Sequence, residues 1–393
     1  MNQRQLFQKH LAPTSPEPMC LPISYAEGCI LKDENGKEYI DLIGGISVCN
    51  VGHRHPKVVE AIKNQADTYL HVMVYGEVIQ SPMVQFASLL AQHLPETLSC
   101  TYFTNSGAEA VEGAMKLAKR ATGRSKIIAC HNSYHGSTQG AWSLIGSEDF
   151  RINYRPLLPE IYHVSFNSQE AINQIDEDTA CIIMETVQAE AGIITPNKEW
   201  IKAIREKCNQ TGTLLILDEI QVGFGRTGTL WGFQQYDIIP DVLLLGKALG
   251  GGMPLGAFIA SKELMQTLSI NPILGHMTTF GGHPVCCAAG KAAMEALLNE
   301  EMLKDVETKG KLFVKKLQDH PHIKTIRQTG LMIALELENF EKVQQSIKKL
   351  LEQGIFTDWF LFASNCLRIV PPLNISEKTI SEACEKIKTA LNS

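Results

Sequence analysis

Residues 213–252, TLLILDEIQVGFGRTGTLWGFQQYDIIPDVLLLGKALGGG, constrain the fold of this chain more than any other stretch. Thr213 to Leu217 is a short aliphatic run that stops at Asp218-Glu219, and Val242 to Leu245 is a second that stops at Gly246-Lys247. Short continuous apolar runs ended by polar or glycine signals suit strands of a parallel sheet covered on both faces. Open parallel sheets bind ligands beyond the carboxyl ends of their strands. The pattern therefore predicts a carboxylate, Asp218, and an amine, Lys247, at one rim.

One cofactor needs that pair of groups. Pyridoxal phosphate takes an amine to form a Schiff base and an anion to keep its ring nitrogen protonated. As two isolated residues, Asp218 and Lys247 equally suit a structural ion pair. The longer segments LDEIQVGFGRTG and PDVLLLGKALGGGMPLGAF decide otherwise. They resemble the signature of class III (subgroup II, fold type I) pyridoxal-phosphate-dependent aminotransferases, nearest to the acetylornithine and ornithine aminotransferases. The resemblance runs from about residue 10 to the C-terminus. It implies an α/β fold of type I, with a mostly parallel sheet in a large cofactor domain and a smaller α+β domain. Gly250, Gly251 and Gly252, after the lysine, are expected to leave room for a ring and a moving side chain.

Two other motifs compete with this assignment. Gly223, Gly225 and Gly228 match the dinucleotide pattern G-x-G-x-x-G, which requires the glycines to open a helix directly after a strand. Glu219 to Val222 intervene here, and Thr229-Leu-Trp-Gly lacks a helix-start pattern. His53 and His55, in GHRHP, could ligate a metal, but loop histidines before a proline more often make structural hydrogen bonds. No metal is expected.

With 393 residues the chain is long enough for two domains. The expected division is an N-terminal arm and hairpin, residues 1–50, that joins the small domain, a large cofactor-binding domain over 51–290, and a C-terminal small domain over 291–393. The formal net charge is −6 and no basic tract is present, which argues against a nucleic-acid partner. No apolar run approaches the ~18 residues that cross a bilayer. MNQRQLFQKH lacks an apolar signal core, and none of the eleven cysteines forms a C-x-x-C pair, so a reducing, cytoplasmic setting is expected.

Hydrophobic spacing predicts a hairpin over 28–43 and helices over 56–70, 81–94, 108–121, 198–210, 285–298 and 301–318. Strands are predicted at 101–103, 127–130, 180–184 and 256–260, besides the central two. The remainder, with strands near 331–337 and 366–370 and helices near 339–353 and 376–391, reads as α+β.

The resemblance assigns site roles motif by motif. NSGAEA is the cofactor-phosphate cradle, giving Ser106, Gly107 and Ala108 that role, which suits free N–H groups at a helix N-terminus. Tyr134 takes the place of the aromatic stacked on the ring, followed by His135. Glu185 and Glu190 stand in ETVQAEAG, similar to EPIQGEGG, and Gln221 matches the residue that hydrogen-bonds the phenolic oxygen. GHMTTFGGHP is similar to GSTYGGNP, which makes Thr279 the residue reaching the partner subunit's phosphate and implies a homodimer with shared sites. Arg368, in LRIVPPL, matches the arginine that grips an α-carboxylate, and Glu190 the glutamate that pairs with it.

Catalysis would then rest on Lys247 and Asp218. The expected activity moves an amino group from an ornithine-like ω-amine, or another small-molecule donor, to a 2-oxo acid such as 2-oxoglutarate, by ping-pong kinetics. An aminomutase or lyase on the same fold is the alternative. The donor is the open point. Where relatives read FHGRT, this chain has Tyr134-His-Gly-Ser137-Thr138, and GGNP becomes GGHP with His283. Arg151 or Arg155 could replace the missing cation. 4-Aminobutyrate, a polyamine and a β-amino acid also remain open.

Overall fold

The computed structural model describes residues 1–392. Its central sheet has seven strands, in the spatial order Cys100–Thr104, Gly256–Ala260, Val242–Leu245, Leu214–Asp218, Thr179–Glu185, Lys126–Cys130 and Ile161–Val164. Gly256–Ala260 runs antiparallel to both of its neighbours, and the other neighbouring pairs are parallel. The two central strands predicted from residues 213–252 lie side by side, with Ile216 opposite Val242.

Both faces of this sheet are covered, which explains why its strands are aliphatic throughout. Ile127, Cys181, Ile183 and Ile216 join one buried cluster with Ala110, Val111 and Ala114 of the helix Gly107–Thr122. Ile128, Ile182, Met184, Leu215 and Leu217 join the other, with Ile201 and Ile204 of the helix Lys198–Thr211. Alternate residues thus point to opposite layers, as strand geometry requires.

The helices begin and end where their local chemistry dictates. The Asn197 side chain accepts the N–H groups of Glu199 and Trp200 at the start of Lys198–Thr211. That helix and Gly107–Thr122 both finish at a glycine in the left-handed region, Gly212 and Gly123. Ile161–Val164 is an edge strand with a half-exposed pattern that no clean alternation marks. The helix expected over 301–318 starts late: a 3-10 turn, Met302–Asp305, precedes Val306–Leu317.

Two smaller sheets flank the main one. Thr325–Thr329, Met332–Glu336, Ala363–Ile369 and Trp359–Phe360 form an antiparallel sheet. Ile23–Glu27, Ile30–Asp33 and Glu38–Asp41 form a meander, and Ile355–Phe356 adds to it in parallel with Ile40 opposite Ile355. The N-terminal segment is thereby hydrogen-bonded to the C-terminal region.

Arg226 locks the segments that meet beside the main sheet. Its side chain is fully buried and donates to the carbonyls of Leu331 and Pro371 and to Asn50 Oδ1. Burial pulls its pKa down to about 9, against the opposing pull of Asp41. Arg226→Met keeps much of the volume but strands three buried acceptors, which should cost on the order of 3 kcal/mol. The expected result is a thermal midpoint lower by several degrees; an unchanged midpoint in scanning calorimetry would contradict this role.

Candidate active site

Two parallel strands end side by side in carboxylates, with Glu185 directly opposite Asp218. The backbone turn after the strand supplies one partner for Asp218: its Oδ1 accepts the N–H of Ile220 at 2.9 Å. Its Oδ2 lies 2.7 Å from Nδ1 of His135, which arrives on the loop after Lys126–Cys130. The other ring nitrogen of His135 is buried without a partner. Asp218 is therefore held on two sides with its carboxylate edge at the cavity.

Lys247 follows the next strand. Its φ of +47° is in the left-handed region, which an L-residue with a side chain occupies only when its surroundings impose it. Its Nζ is 3.3 Å from Gln221 Oε1, and the Gln221 side-chain nitrogen is buried and unpaired. Loss of solvent lowers the Lys247 pKa, opposed by Glu190, Asp218 and Glu185. The Glu185 carboxyl moves the other way. Burial, reinforced by the nearby Asp218 and Glu190, raises its pKa well above the usual carboxylate range, and its Oε2 has no partner. An amine with weakened proton affinity can attack a carbonyl and can also accept a proton from carbon.

The opposite wall is the N-terminus of Gly107–Thr122. Ser106 caps it by accepting the Glu109 N–H at 3.2 Å, and the Glu109 carboxylate turns back to the N–H of Asn105 at 2.9 Å. The N–H groups of Gly107 and Ala108 have no acceptor among the described residues. A Cβ on residue 107 would lie 2.8 Å from Ile220 Cδ1, so this corner tolerates only glycine in its present packing. Such a helix end suits a phosphate.

Gly107, Ala108, Tyr134, His135, Asp218 and Lys247 line one cavity of about 280 Å³. Glu185 and Gln221 also face it. An amine, a ring-nitrogen acceptor at Asp218, an aromatic wall and an anion cradle converge there, together with unpaired polar atoms on His135, Gln221 and Glu185. These are the contacts that a phosphorylated pyridine aldehyde requires, so the residues present fit pyridoxal phosphate.

Glu190 and Arg368 meet above this floor, where both act electrostatically on Lys247. Two hydrogen bonds of 2.8 Å join the guanidinium to the two Glu190 oxygens end-on. Burial alone would raise the Glu190 pKa, yet the Arg368 charge holds it below the ordinary value. Burial also opposes the Arg368 charge, which Glu190 and Asp358 restore, leaving its pKa above normal.

Some expectations are corrected by the packing. Gly251 does not open onto the cavity: a Cβ there would sit 2.8 Å from the Ala289 carbonyl oxygen and the Ala293 methyl, so the glycine serves helix contact. Neither Arg151 nor Arg155 takes the place left by Ser137. Both pair with Glu148, and Ser137 Oγ instead lies 3.0 Å from the Tyr134 hydroxyl. His53 bonds Asp41 at 2.7 Å, and His55 sits 3.2 Å from Glu300. No helix opens at Gly223–Gly228, which lies in turns. Thr279 is exposed and does not line its own chain's cavity.

Other residues support the site without a motif to announce them. Glu112 accepts from the Thr138 hydroxyl and the N–H groups of Gly140 and Ala141, at 2.6, 2.9 and 3.1 Å, fixing the loop that carries Tyr134. No local signal marks it, since it shares the polar face of its helix with Glu109, Lys116 and Lys119. Glu219 accepts from Thr186 and from the N–H groups of Gly232 and Phe233.

Comparison with known proteins agrees with this geometry. The family model described as Aminotransferase class-III matches residues 11–391. The chain is 38% identical to an acetylornithine aminotransferase of Methanopyrus kandleri, over 100% of this chain and 99% of that one. It is 39% identical to the acetylornithine aminotransferase of Methanosarcina acetivorans, over 94% and 91%. Among solved structures, the ornithine aminotransferase of Toxoplasma gondii superimposes with a TM-score of 0.91 at 27% identity, over 100% of this chain and 96% of that one. Adenosylmethionine-8-amino-7-oxononanoate aminotransferase of Methanocaldococcus jannaschii gives 0.91 at 30% identity, over 99% and 98%. The chain belongs to the class III aminotransferases, and its cofactor is pyridoxal phosphate.

Proposed function

We propose that this aminotransferase takes nitrogen from an ω-amine donor of the ornithine kind and passes it to a 2-oxo acid such as 2-oxoglutarate, in two half-reactions with ping-pong kinetics. The observation that carries this reading is the end-on pair of Arg368 and Glu190 beside Lys247. A site that alternates between a donor with no carboxylate near the reacting amine and an acceptor that has one needs a cation it can cover and uncover. Glu190 covers it in the first half-reaction, and the substrate carboxylate replaces Glu190 in the second. The planar fork of arginine suits either partner.

Lys247 and Asp218 perform the chemistry in this reading. Bound in the cavity, pyridoxal phosphate supplies an aldehyde carbon conjugated to an electron-withdrawing ring. Lys247 is the amine that would hold it between turnovers, and its Nζ, with proton affinity lowered by burial, is the base that would move the substrate proton. Asp218 would keep the ring nitrogen protonated, with His135 and the Ile220 N–H keeping its carboxylate in place. Ser106, Gly107 and Ala108 would hold the phosphate, Tyr134 would face the ring, and Gln221 would bond the phenolic oxygen. Glu185, its proton affinity raised by burial and by the nearby Asp218 and Glu190, adds a carboxyl to the wall.

Ser137 bears on donor choice. It replaces the arginine of the acetylornithine-type motif with a hydroxyl, and among the described residues no arginine and no lysine other than Lys247 lines the cavity. Donors that depend on a second cation, acetylornithine among them, should be poor.

We also propose a homodimer with shared sites. Ile273, Leu274, Met277 and Phe280 are exposed apolar side chains around Thr279, and Leu70, Val72 and Met73 are exposed as well. A second copy would cover them and bring Thr279 to its neighbour's phosphate. Sedimentation at assay concentration should give a dimer; a fully active monomer would contradict this. A cytoplasmic location is supported by buried free thiols such as Cys130 and Cys181, and cell fractionation would test it.

Two further tests address the chemistry. Borohydride reduction of the cofactor-loaded protein should label Lys247, and Asp218→Asn should raise the barrier by ~3–4 kcal/mol, as for loss of a main electrostatic stabiliser. A label on another lysine, or near-normal turnover of Asp218→Asn, would refute these roles. In single-turnover measurements, Arg368→Ala should slow the 2-oxo acid half-reaction on the order of 100-fold, as expected for two charge-assisted hydrogen bonds, and spare the ω-amine half. Glu190→Ala should favour α-amino acids over the ω-amine. Equal slowing of both halves by Arg368→Ala would make the arginine structural.

A further inference from the structure

Arg368 has two carboxylate partners, and they approach it from different parts of the chain. Glu190 occupies the outer fork, Nη1 and Nη2, from the segment that follows Thr179–Glu185. Asp358 sits behind, with Oδ1 2.7 Å from Nε. Neither of those two atoms has a hydrogen-bond partner elsewhere.

Asp358 is built into the ladder that carries Arg368. The Arg368 N–H donates to the Asp358 carbonyl at 2.9 Å, the Thr357 hydroxyl donates to the Arg368 carbonyl at 2.5 Å, and Trp359 pairs with Leu367. The Trp359 carbonyl accepts from Nη2 at 2.8 Å, and the Phe360 ring lies 4.4 Å from the guanidinium carbon. Everything on the Nε side thus belongs to one short antiparallel turn. Besides its bonds to Arg368, Glu190 meets this turn through the N–H groups of Leu361 and Phe362, which reach its Oε2 and its carbonyl.

We propose that Asp358 is the fixed partner of Arg368 and Glu190 the exchangeable one, so that Asp358 is a positioning residue for the carboxylate of the 2-oxo acid. This rests on the reading of Arg368 given above. The Arg368 side chain is 2% exposed, so without Asp358 a guanidinium abandoned by Glu190 would be a buried charge with no carboxylate partner. Asp358 remains in place through the exchange and keeps the charge paired. It also holds the Nε edge inward, which leaves the forked edge aimed at whichever carboxylate replaces Glu190. Burial pushes the Asp358 pKa up to about 6, although Arg368 pulls it down, so near neutral pH the pair is ionic.

The test uses the cofactor-loaded protein and glutarate, a dicarboxylate that cannot react. Calorimetry would give its Kd for wild type, Asp358→Ala, Asp358→Asn and Arg368→Ala, alongside thermal midpoints and the single-turnover rate with ornithine. Asp358→Ala should weaken glutarate about tenfold or more, the order of a lost charge-assisted contact, and leave the ornithine rate within about twofold. Asp358→Asn keeps an acceptor oxygen at the same place and should recover most of the loss. Unchanged glutarate binding in Asp358→Ala overturns the proposal, as does a parallel loss of glutarate affinity, ornithine rate and thermal midpoint in both Asp358 variants. If Arg368→Ala also binds glutarate normally, the carboxylate reading of Arg368 itself has failed; if Arg368→Ala alone loses it, only the role of Asp358 has.

Discussion

A carboxylate at the end of a buried strand must be held by donors that replace its lost hydration. Asp218 meets that requirement with His135 on one oxygen and the Ile220 N–H on the other. Much of the site follows from this arrangement. The turn that supplies the Ile220 N–H also carries Gln221 to Lys247 and sets Ile220 against Gly107. The loop that delivers His135 also delivers Tyr134, and Glu112 holds that loop to the helix whose N-terminus forms the anion cradle. Floor, wall and cradle are therefore coupled through short hydrogen bonds rather than placed independently.

Above the floor a second electrostatic problem is solved differently. Arg368 is as buried as Asp218, but its outer edge is closed by a glutamate from another segment rather than by its own turn. Removing one member of a buried pair is costly, so such a pair can open only when another anion arrives. In the proposed reading, the Arg368–Glu190 contact thereby selects for substrate carboxylates. At the cavity wall, the Tyr134 and Ser137 hydroxyls pair with each other.

Legibility in the sequence followed locality. Asp218 and Lys247 stood out because strand ends, glycine signals and a long motif coincide there, and the structure sets both on one cavity, beside a helix that Ser106 caps by accepting the Glu109 N–H. The aliphatic runs at 126–130, 179–185, 214–218 and 242–245 announced a doubly covered sheet. The antiparallel direction of Gly256–Ala260 was not readable, since its residues look the same either way round. Ile161–Val164 is an edge strand whose half-exposed residues carry no period. Glu112 and Asp358 act through partners distant in sequence or across a sheet, and neither belongs to a motif. Arg151 and Arg155 show the limit from the other side: their charge was visible, but their shared partner Glu148 takes them out of the site.

The central claim is that this cavity moves an amino group between two substrates. Its most direct test is an absorbance titration of the pyridoxal-phosphate-loaded protein, first with an ω-amine such as ornithine and then with a 2-oxo acid. The account predicts that one equivalent of amine abolishes the long-wavelength cofactor band with no release of ammonia, and that one equivalent of 2-oxo acid restores the band as the corresponding amino acid appears. A band that survives the amine while a rearranged amine or free ammonia accumulates would identify an aminomutase or lyase and contradict it.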